Sequence, residues 1–125
     1  MPHYEDVTAE VLSFLARRDA RLIAAGVDPA RICWDPGFGF AKTAAQSFEL
    51  LRRLPELLDL GRPILAGLSR KSMIFKTLDI TPEEALPGTQ VLNFKALEGG
   101  ATWLRVHDVA ETVRTVKLFH AINGE

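Results

Sequence analysis

Cysteine is nearly absent from this chain: Cys33 stands alone among 125 residues, so no internal disulfide can staple the fold. Its place in the apolar run Ile32-Cys33-Trp34 predicts a buried, inert thiol rather than a nucleophile. Long apolar runs are missing too. The longest span a few residues, against the roughly 20 that a transmembrane helix requires. The opening Met1-Pro2-His3-Tyr4-Glu5-Asp6 lacks the basic region and apolar core of a secretory leader, so a cytoplasmic protein is expected. Charge of one sign is scarce: 15 Lys and Arg against 16 Asp and Glu leave a net charge of -1, with no basic run long enough to track a nucleic-acid backbone. Neither nucleic acid nor membrane is expected as a partner, and any anion site has to be local. The histidines His3, His107 and His120 are too scattered for a metal set. Gly37-Phe38-Gly39 is not a dinucleotide fingerprint, because Lys42 occupies the place of its third glycine.

What is present is a repeated grammar. Ile32-Cys33-Trp34 runs into Asp35-Pro36-Gly37-Phe38-Gly39-Phe40, Ile64 to Leu68 runs into Ser69-Arg70-Lys71-Ser72, and Trp103-Leu104 runs into Arg105-Val106-His107-Asp108. Asp35 and Lys71 are 36 residues apart, Lys71 and Arg105 34, a spacing that holds one strand, one helix and two short loops. Each unit then delivers its polar group at the same height, the behaviour of an α/β barrel whose chemistry sits at the carboxyl ends of parallel strands.

Apolar spacing predicts a long amphipathic helix from Glu5 to Ala25 with Gly26 as its C-cap glycine, then a turn at Asp28-Pro29 and a strand over Arg31 to Trp34. A helix over Ala44 to Leu60 follows, interrupted at Pro55. The second strand is Ile64 to Leu68. A short helical turn near Ser72 to Leu78 and a capping box at Thr81-Pro82-Glu83-Glu84 precede Leu86-Pro87-Gly88, read as a stop, and a main helix over Thr89 to Glu98. The third strand is Thr102 to Val106, and Asp108 with Glu111 reads as a reciprocal cap on a last helix ending near Ile122. The fold class is thus α/β, the C-terminal part of a (β/α)8 barrel with about three parallel strands and four main helices. No strand precedes the first helix, and three strands close no barrel. The strands near Arg31 to Trp34 and Thr102 to Val106 are expected to lack a neighbour, leaving Ile32, Trp34 and Leu104 or their neighbours facing water.

The three motifs Asp35-Pro36-Gly37-Phe38-Gly39-Phe40-Ala41-Lys42, Ser69-Arg70-Lys71-Ser72 and Arg105-Val106-His107-Asp108-Val109, in this order and at these separations, resemble the C-terminal half of dihydropteroate synthases. The resemblance covers essentially all 125 residues. It implies that residues 1–125 are the C-terminal portion of a pterin-binding barrel domain whose amino-terminal half is absent. It implies an enzyme of the folate pathway that joins p-aminobenzoate to a dihydropterin-methyl diphosphate with release of diphosphate. Sulfonamides are implied as competitors, a homodimer in the complete enzyme, and Mg2+ held by the substrate diphosphate and the missing half, with no metal ligand in this chain.

Carried over residue by residue, the resemblance makes Lys71, Arg105 and His107 the catalytic groups, Asp35, Lys71 and Arg105 the pterin contacts, and Arg105, Val106 and His107 the diphosphate site. Phe40, Ser69 and Ser72 border the p-aminobenzoate pocket. The chemistry suits these types: a carboxylate matches the paired N-H donors of a pterin, and a guanidinium with an imidazole on one strand face stabilises a departing diphosphate. Bland readings stay open: Asp35 as a cap on the following turn, Phe40 as a core aromatic, Arg70 as a solvated cation. Ala41 stands where the family commonly has glycine, and Leu92, Asn93 and Phe94 replace small residues on a helix of the family's dimer surface. A pterin-binding or folate-binding module of a methyl-transfer system is the alternative function. The paired cations speak against it, since a carrier has no diphosphate to stabilise.

Overall fold

The computed structural model describes residues 3–125; Met1 and Pro2 of the expected leaderless N-terminus lie outside the described residues. Five α-helices surround a small parallel sheet: α1 (Val7–Ala24), α2 (Ala44–Arg52), α3 (Ser72–Leu78), α4 (Leu86–Glu98) and α5 (Val109–Ile122), with β1 (Leu65–Gly67) and β2 (Trp103–Arg105). The strands pair in parallel with Leu65 opposite Trp103, Ala66 opposite Leu104 and Gly67 opposite Arg105.

Local chemistry explains most boundaries. Asp6 caps α1 by accepting from the Ala9 N-H at 3.0 Å, and Gly26 follows the helix at φ +97°, a conformation that glycine adopts without strain. Thr43 and Gln46 form a reciprocal capping box on α2. That helix stops at Arg52, and Pro55 opens a 3₁₀ turn over Leu54–Leu58 rather than kinking a longer helix, because proline fits a first turn where its missing N-H is not needed. The same reason moves the start of α4. Leu86-Pro87-Gly88 does not stop a turn; it is the first turn of α4, and the Thr89 N-H bonds to the Ala85 carbonyl at 2.8 Å.

The first expected strand is reduced to one parallel bridge between Trp34 and Ile64. Trp34 N-H donates to Pro63 O and its carbonyl accepts from Leu65 N-H, each at 2.8 Å. The rung before would need an N-H at position 63 and the rung after an N-H at position 36; both are proline, so the bridge stands alone. Arg31 belongs to a 3₁₀ turn set by Asp28 and Pro29. At α5 the expected Asp108–Glu111 cap does not form, since the Asp108 carboxylate faces Arg70 instead.

The core gathers Phe38, Leu50, Leu54, Leu57, Ile64, Leu68 and Met73 between the sheet and α2, α3 and α4. Ile32 and Trp34 are buried, contrary to expectation: the Trp34 indole donates to Asp19 of α1, so this run faces a helix and not the open side. Period-two alternation then turns Cys33 outward, so the thiol is exposed rather than buried. Partial desolvation and the Asp35 carboxylate hold its pKa above the ordinary value, which keeps it protonated and weakly nucleophilic at neutral pH. On β2, Trp103 is 60% exposed, and beside this strand an apolar groove of about 490 Å³ is lined by Leu104, Val106, Val113, Val116 and Phe119. No described helix is long and apolar enough to cross a membrane.

Candidate functional site

Asp35 follows the Trp34 bridge, Lys71 follows β1 and Arg105 ends β2, so the parallel register brings all three to one side of the sheet. Arg105 Nη1 donates to Asp35 Oδ2 at 2.9 Å. The other oxygen of Asp35 accepts from the Gly37 N-H at 2.9 Å, so this carboxylate caps the following turn while it meets Arg105. Arg105 can lie there because its strand partner is Gly67. A Cβ at Gly67 would stand 2.3 Å from Arg105 Nη2.

The loop 35–42 is built around two lysines. Lys42 Nζ donates to the carbonyls of Gly37 and Phe40 at 2.9 and 3.0 Å, drawing the loop around its ammonium. The Gly39 N-H donates to Ser47 Oγ at 3.0 Å and Phe38 is fully buried, which anchors the loop to α2 and the core. Ala41 adopts φ +52°, a region that glycine enters without strain and alanine does not. Lys71 Nζ donates to Phe38 O at 2.6 Å and lies 4.8 Å from the centroid of the Phe40 ring, which is 66% exposed. Phe40 is therefore no core aromatic.

Burial, and then the neighbouring Arg105 guanidinium, lower the Lys71 pKa; Asp35 opposes them and Lys42 adds to the lowering. Lys42 is lowered by burial against the opposing pull of Asp35. The site thus holds three cationic groups around one carboxylate, partly desolvated, and suits an anionic ligand that also carries N-H donors. Among the described residues no group of three or more His, Cys, Asp or Glu could hold a metal ion. The excess of cations around Asp35 would repel a divalent ion further.

The remaining sequence candidates separate. Ser69 Oγ accepts from the His107 N-H at 3.1 Å, tying the loop after β1 to the loop after β2. His107 itself is exposed beyond the end of β2, and Ser72 is exposed at the first position of α3. The Val106 side chain turns into the groove beside α5. Arg70 is not a solvated cation: it forms a two-pronged ion pair with Asp108, Nε to Oδ2 at 3.1 Å and Nη2 to Oδ1 at 3.0 Å. Sequence reasoning missed this pair, the room-making Gly67, the stapling Lys42 and the buried Asp19–Arg62 pair. A glycine inside an apolar strand was a readable signal; the ion pairs join residues too far apart for local pattern to show.

The sequence profile of the family described as pterin binding enzymes matches residues 1–107. The chain is 42% identical over 120 residues to dihydropteroate synthase of Haemophilus influenzae, covering 96% of this chain and 44% of that protein. It is 44% identical to the Xanthomonas albilineans dihydropteroate synthase solved with 7,8-dihydropteroate, with a TM-score of 0.96 over 99% of this chain and 48% of that one. It is 35% identical to the Yersinia pestis dihydropteroate synthase solved with a sulfonamide drug, again with a TM-score of 0.96, over 46% of that chain. The chain spans less than half the length of these relatives. Its three motifs, its partial (β/α)8 architecture and the match over residues 1–107 together show that the chain belongs to the pterin binding enzyme family.

Proposed function

We propose that this chain supplies the C-terminal half of a dihydropteroate synthase site, and that the complete enzyme condenses p-aminobenzoate with a dihydropterin-methyl diphosphate. The observation that carries the reading is the convergence of Asp35, Lys71 and Arg105 on one side of adjacent parallel segments, with Arg105 and Asp35 2.9 Å apart. Asp35 accepts from the pterin N-H groups, and Lys71 donates to a pterin carbonyl or ring nitrogen. An ion pair as exposed as Arg105–Asp35 contributes under about 1 kcal/mol, so an arriving pterin displaces it cheaply. Arg105, released, turns with His107 to the diphosphate.

The amine of p-aminobenzoate attacks the exocyclic methylene. A C–N bond forms, the C–O bond to diphosphate breaks, and the amine loses a proton. An aniline is a weak nucleophile that gains little from a strong base, so positioning and stabilisation of the leaving group carry the rate and Asp35 is not a general base. Phe40, Ser69 and Ser72 border the benzoate pocket, where sulfonamides compete. The residues of this chain do not fit a magnesium site; in this reading Mg2+ arrives on the diphosphate and is held by the amino-terminal half. Exposed apolar residues of α4 and α5, Val91, Leu118 and Ile122 among them, support a homodimer of the complete enzyme. Its location is cytoplasmic, and the 125-residue chain by itself is inactive.

Calorimetry with a complete barrel carrying this segment tests the reading. Dihydropterin-methyl diphosphate is expected to bind more tightly than the bare pterin, and Arg105→Ala and His107→Ala to erase the difference. Equal affinities in the unsubstituted barrel would sink the synthase reading in favour of a pterin carrier.

A further inference from the structure

Arg70 has a backbone it would not choose and a side chain with nowhere else to go. Its φ is +53°, in the left-handed region, where a non-glycine residue persists only if its surroundings hold it. Three segments do so. The Arg70 N-H donates to Thr89 Oγ1 at 3.0 Å, Nε and Nη2 grip Asp108, and Nη1 donates to the carbonyls of Pro82 and Glu83 at 2.9 and 3.0 Å. The side chains of Arg70 and Asp108 are only 24% and 21% exposed. Asp108 raises the Arg70 pKa and Arg70 lowers that of Asp108, so both stay charged across the working range.

The neighbours of this pair give it a purpose. Lys71 follows Arg70 and His107 precedes Asp108, while Ser69 on the other side of Arg70 accepts from the His107 N-H. Two loops from different strands are thus tied twice within a few residues of the two groups that meet the substrate.

We propose that Arg70 and Asp108 are positioning residues: their ion pair braces the loops after β1 and β2 so that Lys71 and His107 meet the pterin and the diphosphate as one preset unit, and neither braced side chain touches substrate. This rests on the synthase reading for its substrates but not for its mechanics. Most of the guanidinium's donor capacity is already taken by Asp108, Pro82 and Glu83, which leaves little to offer a ligand.

The test compares Asp108→Asn, Arg70→Lys and the double variant in the complete barrel, with Asp19→Asn as a control that weakens a different ion pair. Arg70→Lys keeps the charge and most of the volume, which guards against simple unfolding. Each single variant is expected to lower kcat about tenfold while the Kd for bare pterin changes less than threefold, and the double variant is expected to be no worse than the singles. Asp19→Asn is expected to lower Tm and leave kcat of the folded enzyme alone. Additive losses, or a loss of bare-pterin affinity as large as that of Lys71→Ala, would overturn the brace. So would a kcat that survives both substitutions. A second readout does not depend on turnover: in the 125-residue chain, Asp108→Asn is expected to cause new exchange broadening of the amide signals of residues 69–72 and 106–108 together, with Asp19→Asn leaving them sharp. Broadening confined to one loop would also overturn the proposal. An inactive unsubstituted barrel with paired broadening would remove the synthase reading and keep the brace.

Discussion

Two arginines flank β1, and each grips a carboxylate with two donors, yet the two ends of the strand do different work. Ahead of the strand, Arg62 meets Asp19 of α1 at 2.7 and 3.0 Å, and the same carboxylate accepts from the Trp34 indole at 2.9 Å. The Asp19 side chain is 4% exposed, so this cluster fastens a helix to the sheet inside the core. Behind the strand, Arg70 meets Asp108 in a more open setting and ties loop to loop. The value of an ion pair follows from what it holds still. Where it closes a core, its loss is felt by the fold; where it joins two ligand-bearing loops, its loss is felt by the chemistry.

The largest expected effect is Asp19→Ala. It leaves a half-buried guanidinium and a buried indole N-H without their acceptor, which costs about 3 kcal/mol, the low end for breaking a buried pair. Thermal unfolding checks it; an unchanged Tm would erase the contrast between the two ends. Titration reaches the same cluster. Hydrogen bonding from Arg62 holds the Asp19 pKa below the ordinary 3.8, so its stabilisation is complete above that pH and is lost as pH falls through the lower, folded value. Melting curves of the parent and Asp19→Asn are expected to converge on strong acidification.

Next in size is Lys71→Ala in the complete enzyme. A preset cation facing developing charge is worth ~3 kcal/mol, about two orders of magnitude in turnover, with weaker pterin binding and little change in Tm. Near-normal kcat/KM would take Lys71 out of contact with substrate. Gly67→Ala sharpens the same end more finely. The added methyl collides with the end of a flexible side chain, so Arg105 moves and the strand survives. Affinity for the diphosphate-bearing substrate is expected to fall about tenfold, the scale of one charge-assisted hydrogen bond, while bare-pterin affinity holds. An equal loss for both ligands would contradict it. The smallest effect is Ala41→Gly: relief of strain at φ +52° is worth about 1 kcal/mol and the greater freedom of the unfolded chain removes about as much. A net change within about 0.5 kcal/mol in chemical denaturation is the expected outcome.

Much of this molecule was legible in its sequence, and each failure has a physical cause. The polar groups that end apolar runs, Asp35, Lys71 and Arg105, could be read because strand alternation and unit spacing are local patterns, and the structure brings them together. Pro87 misled because proline both stops turns and starts helices, and only the Ala85 carbonyl awaiting Thr89 decides which. Pro63 cut the first strand short, because it has no N-H to give the Ile32 carbonyl. Arg70 looked like a solvated cation because its partners at Pro82, Glu83 and Asp108 are distant in sequence, and long-range ties leave no periodic trace.

The two tryptophans divide the molecule optically. Trp34 is 2% exposed with its indole N-H held by Asp19, whereas Trp103 is 60% exposed on β2. Intrinsic emission therefore contains a blue, quencher-shielded component from the Asp19–Arg62 cluster and a red, quenchable one from the free strand edge. A partner that covers Trp103 moves the second component to the blue and shields it from quencher while leaving the first unchanged, so the chain reports its own assembly and its own core without a label.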